Sequence, residues 1–462
     1  MPVNSFQNYP MSWKPKREAL GKGPLYLSLA SLLEQDILSG KLLTGTRLPP
    51  QRELADYLDL NFTTVTRAYD LCRSKKLMYG ITGRGTFVSS IPGVADESRR
   101  SDCVDLGVVQ GFTEIGAKEI VRAARTALGR DTAERLFSYG NRDGMERHRE
   151  AARQWLLRCG VESETEGIIV FPGVQGALSS ALLSVFRTGD MIAVDTFTYA
   201  NFISLARLAH VKLVPVAGDS QGMLPDALAR TAKRVPIRGL FIMPRHSNPT
   251  AITLSAERRR DIADICRAAD LIVLEDDASF ATVDEQRLLP LQARIPERTL
   301  YLSGTARLIA AGLRIAYVAC PERLRAPLQA AFHHTTIKAS ALDVEILSEL
   351  ILSGRADVVL RKKMQLARQA NRLFAEVFPE FGKGDGESLF RTIPLPETHG
   401  RAHEVEERAL DAGIRVLHSD RYLVGKGEPF LRISLSSAGT MAELATGLRR
   451  LRAFVDRETG QH

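Results

Sequence analysis

Four places in this 462-residue chain gather residue types that bind anions or hold charge. Gly173-Val174-Gln175-Gly176-Ala177-Leu178 follows an apolar run and opens a helical pattern over Ala177–Phe186. Free amides at a helix start bind phosphate; an ordinary tight turn is the other reading. Leu274-Glu275-Asp276-Asp277 ends an apolar run in three carboxylates, at a strand end or in a solvated acidic turn. Arg432 sits inside Phe430-Leu431-Arg432-Ile433-Ser434, a strand-like run in which an arginine can simply lie on the surface. The fourth place is Leu300 to Val318, with Arg307 and Gly312-Leu313-Arg314. No metal site is expected. The five cysteines (Cys72, Cys103, Cys159, Cys266, Cys320) are scattered and form no Cys-x-x-Cys pair, so they read as buried, reduced thiols. His333 and His334 are adjacent and share no helix face.

The elements that must position these groups are legible as a pattern. Apolar strands are expected at 167–171, 191–194, 212–215, 239–243, 271–274, 299–302 and 314–319, with helical patterns between most of them. Such alternation implies an α/β domain with a mostly parallel, helix-covered sheet. In such sheets ligands bind at the strand ends, where Gly173, Asp276 and Arg314 fall.

Residues 300–318 resemble the lysine segment of fold-type I pyridoxal-phosphate (PLP) enzymes, usually Gly-Thr-x-Ser-Lys-x-x-x-Pro-Gly-Leu-Arg. Gly312, Leu313 and Arg314 anchor the match, and counting back seven from Arg314 puts Arg307 in the lysine slot. A lysine there forms a Schiff base with the cofactor; a guanidinium stays protonated and cannot. Asn248-Pro249-Thr250 resembles the Asn-Pro-Thr-Gly motif of class I/II aminotransferases, with Ala251 in the glycine position. The resemblance implies cofactor contacts from Val174, Gln175, Tyr199, Asn248, Asp276, Arg307 and Arg314, with Asp276 on the pyridine nitrogen and Arg314 on the phosphate. It implies that Arg432 holds an amino-acid carboxylate. Tyr139, in Tyr139-Gly140-Asn141-x-x-Gly144, would reach the phosphate of the partner subunit, which implies a homodimer. The tyrosine that usually follows the acidic pair is absent; Ala278, Ser279 and Phe280 stand there.

The first 88 residues read differently. Leu25, Leu29, Leu32, Leu33 and Ile37 make one apolar helix face, with Gly40 as a stop. A helix over Gln51–Leu58 buries Leu54, Ala55 and Leu58, and Asn61 caps a third helix running to about Ser74. Residues 78–88 alternate around Gly83-Arg84-Gly85 as a hairpin. Helix, helix-turn-helix and hairpin make a winged helix, and the piece resembles the GntR family of bacterial regulators through Leu48-Pro49-Pro50-Gln51-Arg52-Glu53-Leu54-Ala55, Arg67-Ala68-Tyr69 and Gly85-Thr86-Phe87-Val88. The resemblance implies a double-stranded DNA operator as partner, with Arg52, Asn61, Thr63, Thr64, Arg67 and Arg84 near DNA; each could otherwise be a solvated surface residue. Phe62 stands where the family often has arginine, so base preference does not carry over.

The net charge is +8. Residues 1–92 hold 12 Lys/Arg and 7 Asp/Glu, a net of +5, which hints at a polyanion partner. Residues 89–105 read as a linker and 106–462 as the body. A GntR winged helix on an aminotransferase-like body is the layout of the MocR subfamily of transcriptional regulators. Three readings follow. One is a regulator that binds PLP, another phosphate-bearing vitamer or a different anion without a Schiff base, with an amino compound as a further effector; one is a regulator whose body only dimerises; one is an aminotransferase with a DNA-binding appendage. Transamination needs the lysine as proton shuttle, a role worth on the order of 10²–10⁴-fold, so no catalytic residue is expected. Lys338, 31 positions after Arg307, is expected to face solvent. With no signal pattern after Met1 and no apolar run long enough for a bilayer, a cytoplasmic protein is expected.

Overall fold

The computed structural model describes residues 11–459, apart from 22, 39–41, 43–45, 76, 82–84, 89–102, 131–132, 140–144, 278–287, 385 and 397–401. It forms two compact units, Met1–Ser101 and Asp102–His462.

The first unit packs helices α1 (Leu25–Leu38), α2 (Gln51–Leu58) and α3 (Phe62–Ser74) on a hairpin of β1 (Met78–Ile81) and β2 (Gly85–Val88). Residues 46–48 add a third line of pairing: the Leu48 amide donates to Thr86 O (2.8 Å) and the Val88 amide to Thr46 O (2.9 Å). Leu54, Ala55 and Leu58 are buried as their spacing demands. On α1 the buried face is Leu29, Leu33 and Ile37, whereas Leu25, expected on that face, is 43% exposed. It is the first residue of the helix, where little packs over it. The polar lead contributes an unexpected anchor. Trp13 is buried, and its Nε1 donates to Asp36 Oδ2 at 2.7 Å.

In the second unit β3 (Val104–Asp105) pairs in parallel with β14 (Ile414–Arg415), so these two residues belong to the body and not to the linker. The main sheet uses β4 (Ile168–Phe171), β5 (Met191–Asp195), β6 (Lys212–Val216), β9 (Ile237–Ile242), β10 (Ile272–Asp277), β11 (Thr299–Gly304) and β12 (Ala316–Ala319). Their order is β4-β12-β11-β10-β9-β5-β6, and β12 alone runs against the rest. β7 (Gly218–Asp219) and β8 (Gly222–Met223) form a small hairpin beside it. A second sheet, β13 (Phe390–Pro394), β16 (Phe430–Ser434) and β15 (Leu417–His418), carries Arg432 at its centre. The seven main strands are those expected, shifted by a few residues at their ends. Arg314 is off its strand, in a left-handed conformation (φ 50°) just before β12. The main strands are apolar on both faces because helices cover both. Among the described residues no helix is long and apolar enough to cross a membrane.

Arg259, on the helix Ala256–Ala268, is fully buried and pins the loop that carries Asn248. Its guanidinium donates to Leu254 O (3.1 Å), Pro244 O (3.0 Å), Leu288 O (3.2 Å) and Leu289 O (3.3 Å). Arg259→Met keeps bulk but leaves buried carbonyls unpaired, each costing about 1–3 kcal/mol. We expect a loss of about 2–5 kcal/mol in urea denaturation; an unchanged midpoint would show that water replaces the guanidinium.

Candidate functional site

The C-terminal edge of the main sheet gathers the groups singled out from the sequence. The chain leaves β4 through Gly173, whose φ of +82° favours glycine and whose added Cβ would come 3.2 Å from Arg314 Nη2. The helix that follows spans Val174–Ser184, so it starts three residues earlier than expected and Val174, Gln175 and Gly176 are its first turn. No side chain caps it. Free amides with a guanidinium alongside make an anion cradle.

β10 ends in Glu275, Asp276 and Asp277, all buried. Side chains alternate along a strand, and two of the three carboxylates have structural partners. Glu275 accepts the amides of Leu291 (2.9 Å) and Gln292 (2.8 Å). Asp277 accepts the Tyr301 hydroxyl at 3.1 Å. Asp276 Oδ1 has no hydrogen-bond partner among the described residues, and neither do Gln175 Oε1 and Arg432 Nε. Burial pushes the Asp276 carboxyl up to about 7, against the pull of Arg307. A buried acceptor left open in this way fits an N–H from a ligand.

Arg307 follows β11 on a tightly held loop. The Thr305 hydroxyl donates to Ile315 O (2.7 Å), and the Ile309 amide donates to Thr305 O (2.8 Å). Arg307 is half-buried and acts electrostatically on Asp276, Tyr199, Tyr422 and Arg432. Tyr199 caps the helix Ala200–Leu208 and its hydroxyl takes Asn201 Nδ2 at 3.2 Å. Burial raises its phenol pKa, opposed by Arg307 and Arg314.

Arg432 is buried, not on a surface strand. Its Nη1 donates to Asn248 Oδ1 (3.4 Å) and its Nη2 to the Gly107 carbonyl. Its guanidinium lies 5.5 Å from the Tyr422 ring centroid and 5.7 Å from that of Phe390. Burial lowers its pKa, countered chiefly by Tyr422. Tyr422 was missed from the sequence; it stands on a short turn that pairs with the loop before Tyr199, through Thr198 N to Tyr422 O at 2.8 Å. Lys363 was missed too. It sits in the run Arg361-Lys362-Lys363, which reads as a solvated face, yet it is fully buried and its Nζ donates to Ile309 O (3.0 Å) and Arg307 O (3.3 Å). Burial brings its pKa down to about 8.

Other expected residues stand apart. Tyr139 is 81% exposed and is not gathered into this chain's own site. Lys338, expected in solvent, is half-buried; its Nζ donates to Ser138 O (2.7 Å) and Tyr139 O (2.5 Å). Gly140–Gly144 and 278–280 lie outside the described residues, as does Arg84. In the winged helix, Asn61 Oδ1 accepts both the Thr63 amide (3.0 Å) and the Thr63 hydroxyl (2.9 Å), while Thr64 stands half-buried in the first turn of α3. Arg52 lies over the exposed Phe62 ring at 5.7 Å, and Arg67 over Tyr26 of α1 at 4.1 Å.

Comparison with known proteins agrees with both halves. Residues 25–88 match the model for bacterial regulatory proteins of the gntR family, and 102–451 match aminotransferase class I and II. An uncharacterized HTH-type transcriptional regulator, YdeF of Bacillus subtilis (strain 168), is 34% identical over 99% of both chains. The chain belongs to the MocR-type HTH regulators, a GntR winged helix fused to a class I/II aminotransferase body. The vitamin B6 salvage pathway transcriptional repressor PtsJ of Salmonella typhimurium is 25% identical, over 90% of this chain and 93% of its own. The crystal structure of an archaeal alanine:glyoxylate aminotransferase superposes with a TM-score of 0.72 at 18% identity, over 77% of this chain and 91% of that one, which supports the fold.

The Asp276 carboxyl offers a pH test in the ligand-free protein. Its folded pKa of about 7 lies above the ordinary 3.8, so the folded chain keeps a proton that the unfolded chain has released. That contribution is whole below the lower value and is lost as pH rises through the upper one. Asp276→Asn removes it. Thermal melts at about pH 5 and about pH 8 should show the variant gaining on wild type by on the order of 2–4 kcal/mol at the higher pH. A constant gap would mean that the carboxylate is solvated.

Proposed function

We propose that the protein is a homodimeric, cytoplasmic, DNA-binding transcriptional regulator. Its body binds a PLP-type phosphorylated vitamer without a covalent bond and without turnover. What supports this is the uncapped helix start at Val174 beside Arg314, together with a guanidinium, Arg307, at the position where the resemblance puts the lysine. Gly173, Val174, Gln175 and Arg314 would hold the phosphate. Asp276 would take the ring N–H, and Asn248 and Tyr199 would flank the ring. When bound to an enzyme of this fold, the cofactor supplies an electron sink for amino-acid chemistry. Arg307 cannot shuttle a proton at neutral pH, so this chain's residues bind and orient. The exposed Tyr139 supports the dimer reading, since a partner site is where the resemblance sends it.

Effector sensing would use Arg432. Its Nη2 holds the carbonyl of Gly107, two residues after β3 and close to the linker that leads to the winged helix. A ligand carboxylate competing for that guanidinium would exchange a neutral acceptor for a charged one, a stronger bond, and release the Gly107 segment.

Aminotransferase activity is the second reading, and the buried amine of Lys363 favours it, because it lies beneath the lysine slot with a pKa near 8. Incubation with PLP, borohydride reduction and intact mass separate the two. We expect bound PLP with no mass adduct in wild type, and a trapped adduct in Arg307→Lys. An adduct in wild type would revive the enzyme.

For the DNA half, purified protein should retard a fragment of its own upstream DNA, and affinity should fall steeply between about 50 and 200 mM salt. Retardation that is absent or indifferent to salt would sink the regulator reading.

A further inference from the structure

Arg307 stands on a loop that the surrounding fold holds in place. Its loop is held from below by Lys363, which donates to the carbonyls of Arg307 and Ile309. Gly111 (φ +73°) approaches the same loop so closely that an added Cβ would clash with Arg307 O. The guanidinium has no ion pair or side-chain hydrogen bond among the described residues, yet it acts on Asp276, Tyr199, Tyr422 and Arg432. Arg314 flanks the phosphate cradle, and Arg432 already holds Gly107 O and Asn248 Oδ1. Tyr199 thus feels Arg307, Arg314 and Asp276 together, and Arg307 acts on Arg432 as well, so these groups share one charged neighbourhood.

An aldehyde or an alcohol at the lysine slot would bury Arg307 against a neutral group. A guanidinium desolvated with no direct ion pair, with Asp276 its one acidic neighbour among the described residues, is costly. A carboxylate at the same place would take two parallel charge-assisted bonds. We propose that the ligand of this site is a phosphorylated pyridine bearing a carboxylate where PLP bears its aldehyde, and that Arg307 selects it. This rests on the proposed non-covalent binding of a PLP-type ring. It explains why the rest of the cradle persists beside an arginine: phosphate cradle, open Asp276 Oδ1 and Arg307 each meet one feature of such a ligand.

The test is calorimetric titration of the full-length protein with three ligands that share ring and phosphate: pyridoxic acid 5′-phosphate, pyridoxal 5′-phosphate and pyridoxine 5′-phosphate. They differ only in the group at C4, which is carboxylate, aldehyde or hydroxymethyl. Wild type should bind the acid roughly ten- to hundredfold tighter than the alcohol, the range expected for charged hydrogen bonds. Arg307→Gln should lose that preference while still binding the alcohol, and the retained binding shows that the variant is folded. Arg307→Lys should gain a borohydride-trapped adduct with the aldehyde. If wild type binds all three alike, or prefers the aldehyde, the carboxylate inference is overturned while non-covalent sensing stands. If an acid preference survives in Arg307→Gln, the acid binds elsewhere and Arg307 is not its partner. If none of the three binds, both readings fall.

Discussion

A buried carboxylate whose Oδ1 meets no donor among the described residues is the constraint around which the body is arranged. Asp276 lies between two acids that the fold satisfies internally, Glu275 on a pair of backbone amides and Asp277 on the Tyr301 hydroxyl. Alternation along β10 turns the middle side chain the other way, to a place where no donor among the described residues meets its Oδ1. Burial makes its ionised form expensive, and Arg307 offsets only part of that. Such an arrangement persists because neighbouring packing holds it, and the sheet supplies that packing from strands apolar on both faces.

The segments that carry the neighbouring cations are held as well. Arg307 rides a loop fastened by Thr305 and Lys363. Arg432 is clamped by the Gly107 carbonyl and Asn248, beneath two aromatic rings. The Arg432 guanidinium, held in this way, loses little freedom when an anion arrives, which is the physical meaning of preorganisation. By the resemblance Arg307 stands in the lysine slot, and there it would exchange a group that forms bonds for one that pairs with anions.

The winged helix is organised on a smaller scale. Three short helices and a hairpin bury one set of apolar residues, extended by the Trp13–Asp36 bond from the lead segment. The arginines that could approach a polyanion rest on aromatic rings, Arg52 on Phe62 and Arg67 on Tyr26. A guanidinium over a ring face is attracted by the ring's quadrupole, by about 0.5–1 kcal/mol at an exposed site.

Much of this was legible locally. Helix periodicity, the Asn61 cap, the apolar strands and the glycine before the Val174 helix depend on near neighbours in the chain, and so does the arginine seven positions before Arg314. Boundaries slipped where local pattern was indifferent. The helix began at Val174 rather than Ala177 because Gly173 supplies the turn, and Val104–Asp105 became a strand because β14, some 300 residues away, pairs with it. The amino-acid sequence by itself determined which side chains are available and that a guanidinium stands where an amine is expected. Only the tertiary structure decided which of three adjacent acids is left open, that Lys363 in a basic run is buried, and that Tyr422 and Gly107 close around Arg432. Those outcomes depend on burial and on partners hundreds of residues distant, and the spacing of residues along a chain carries no record of either.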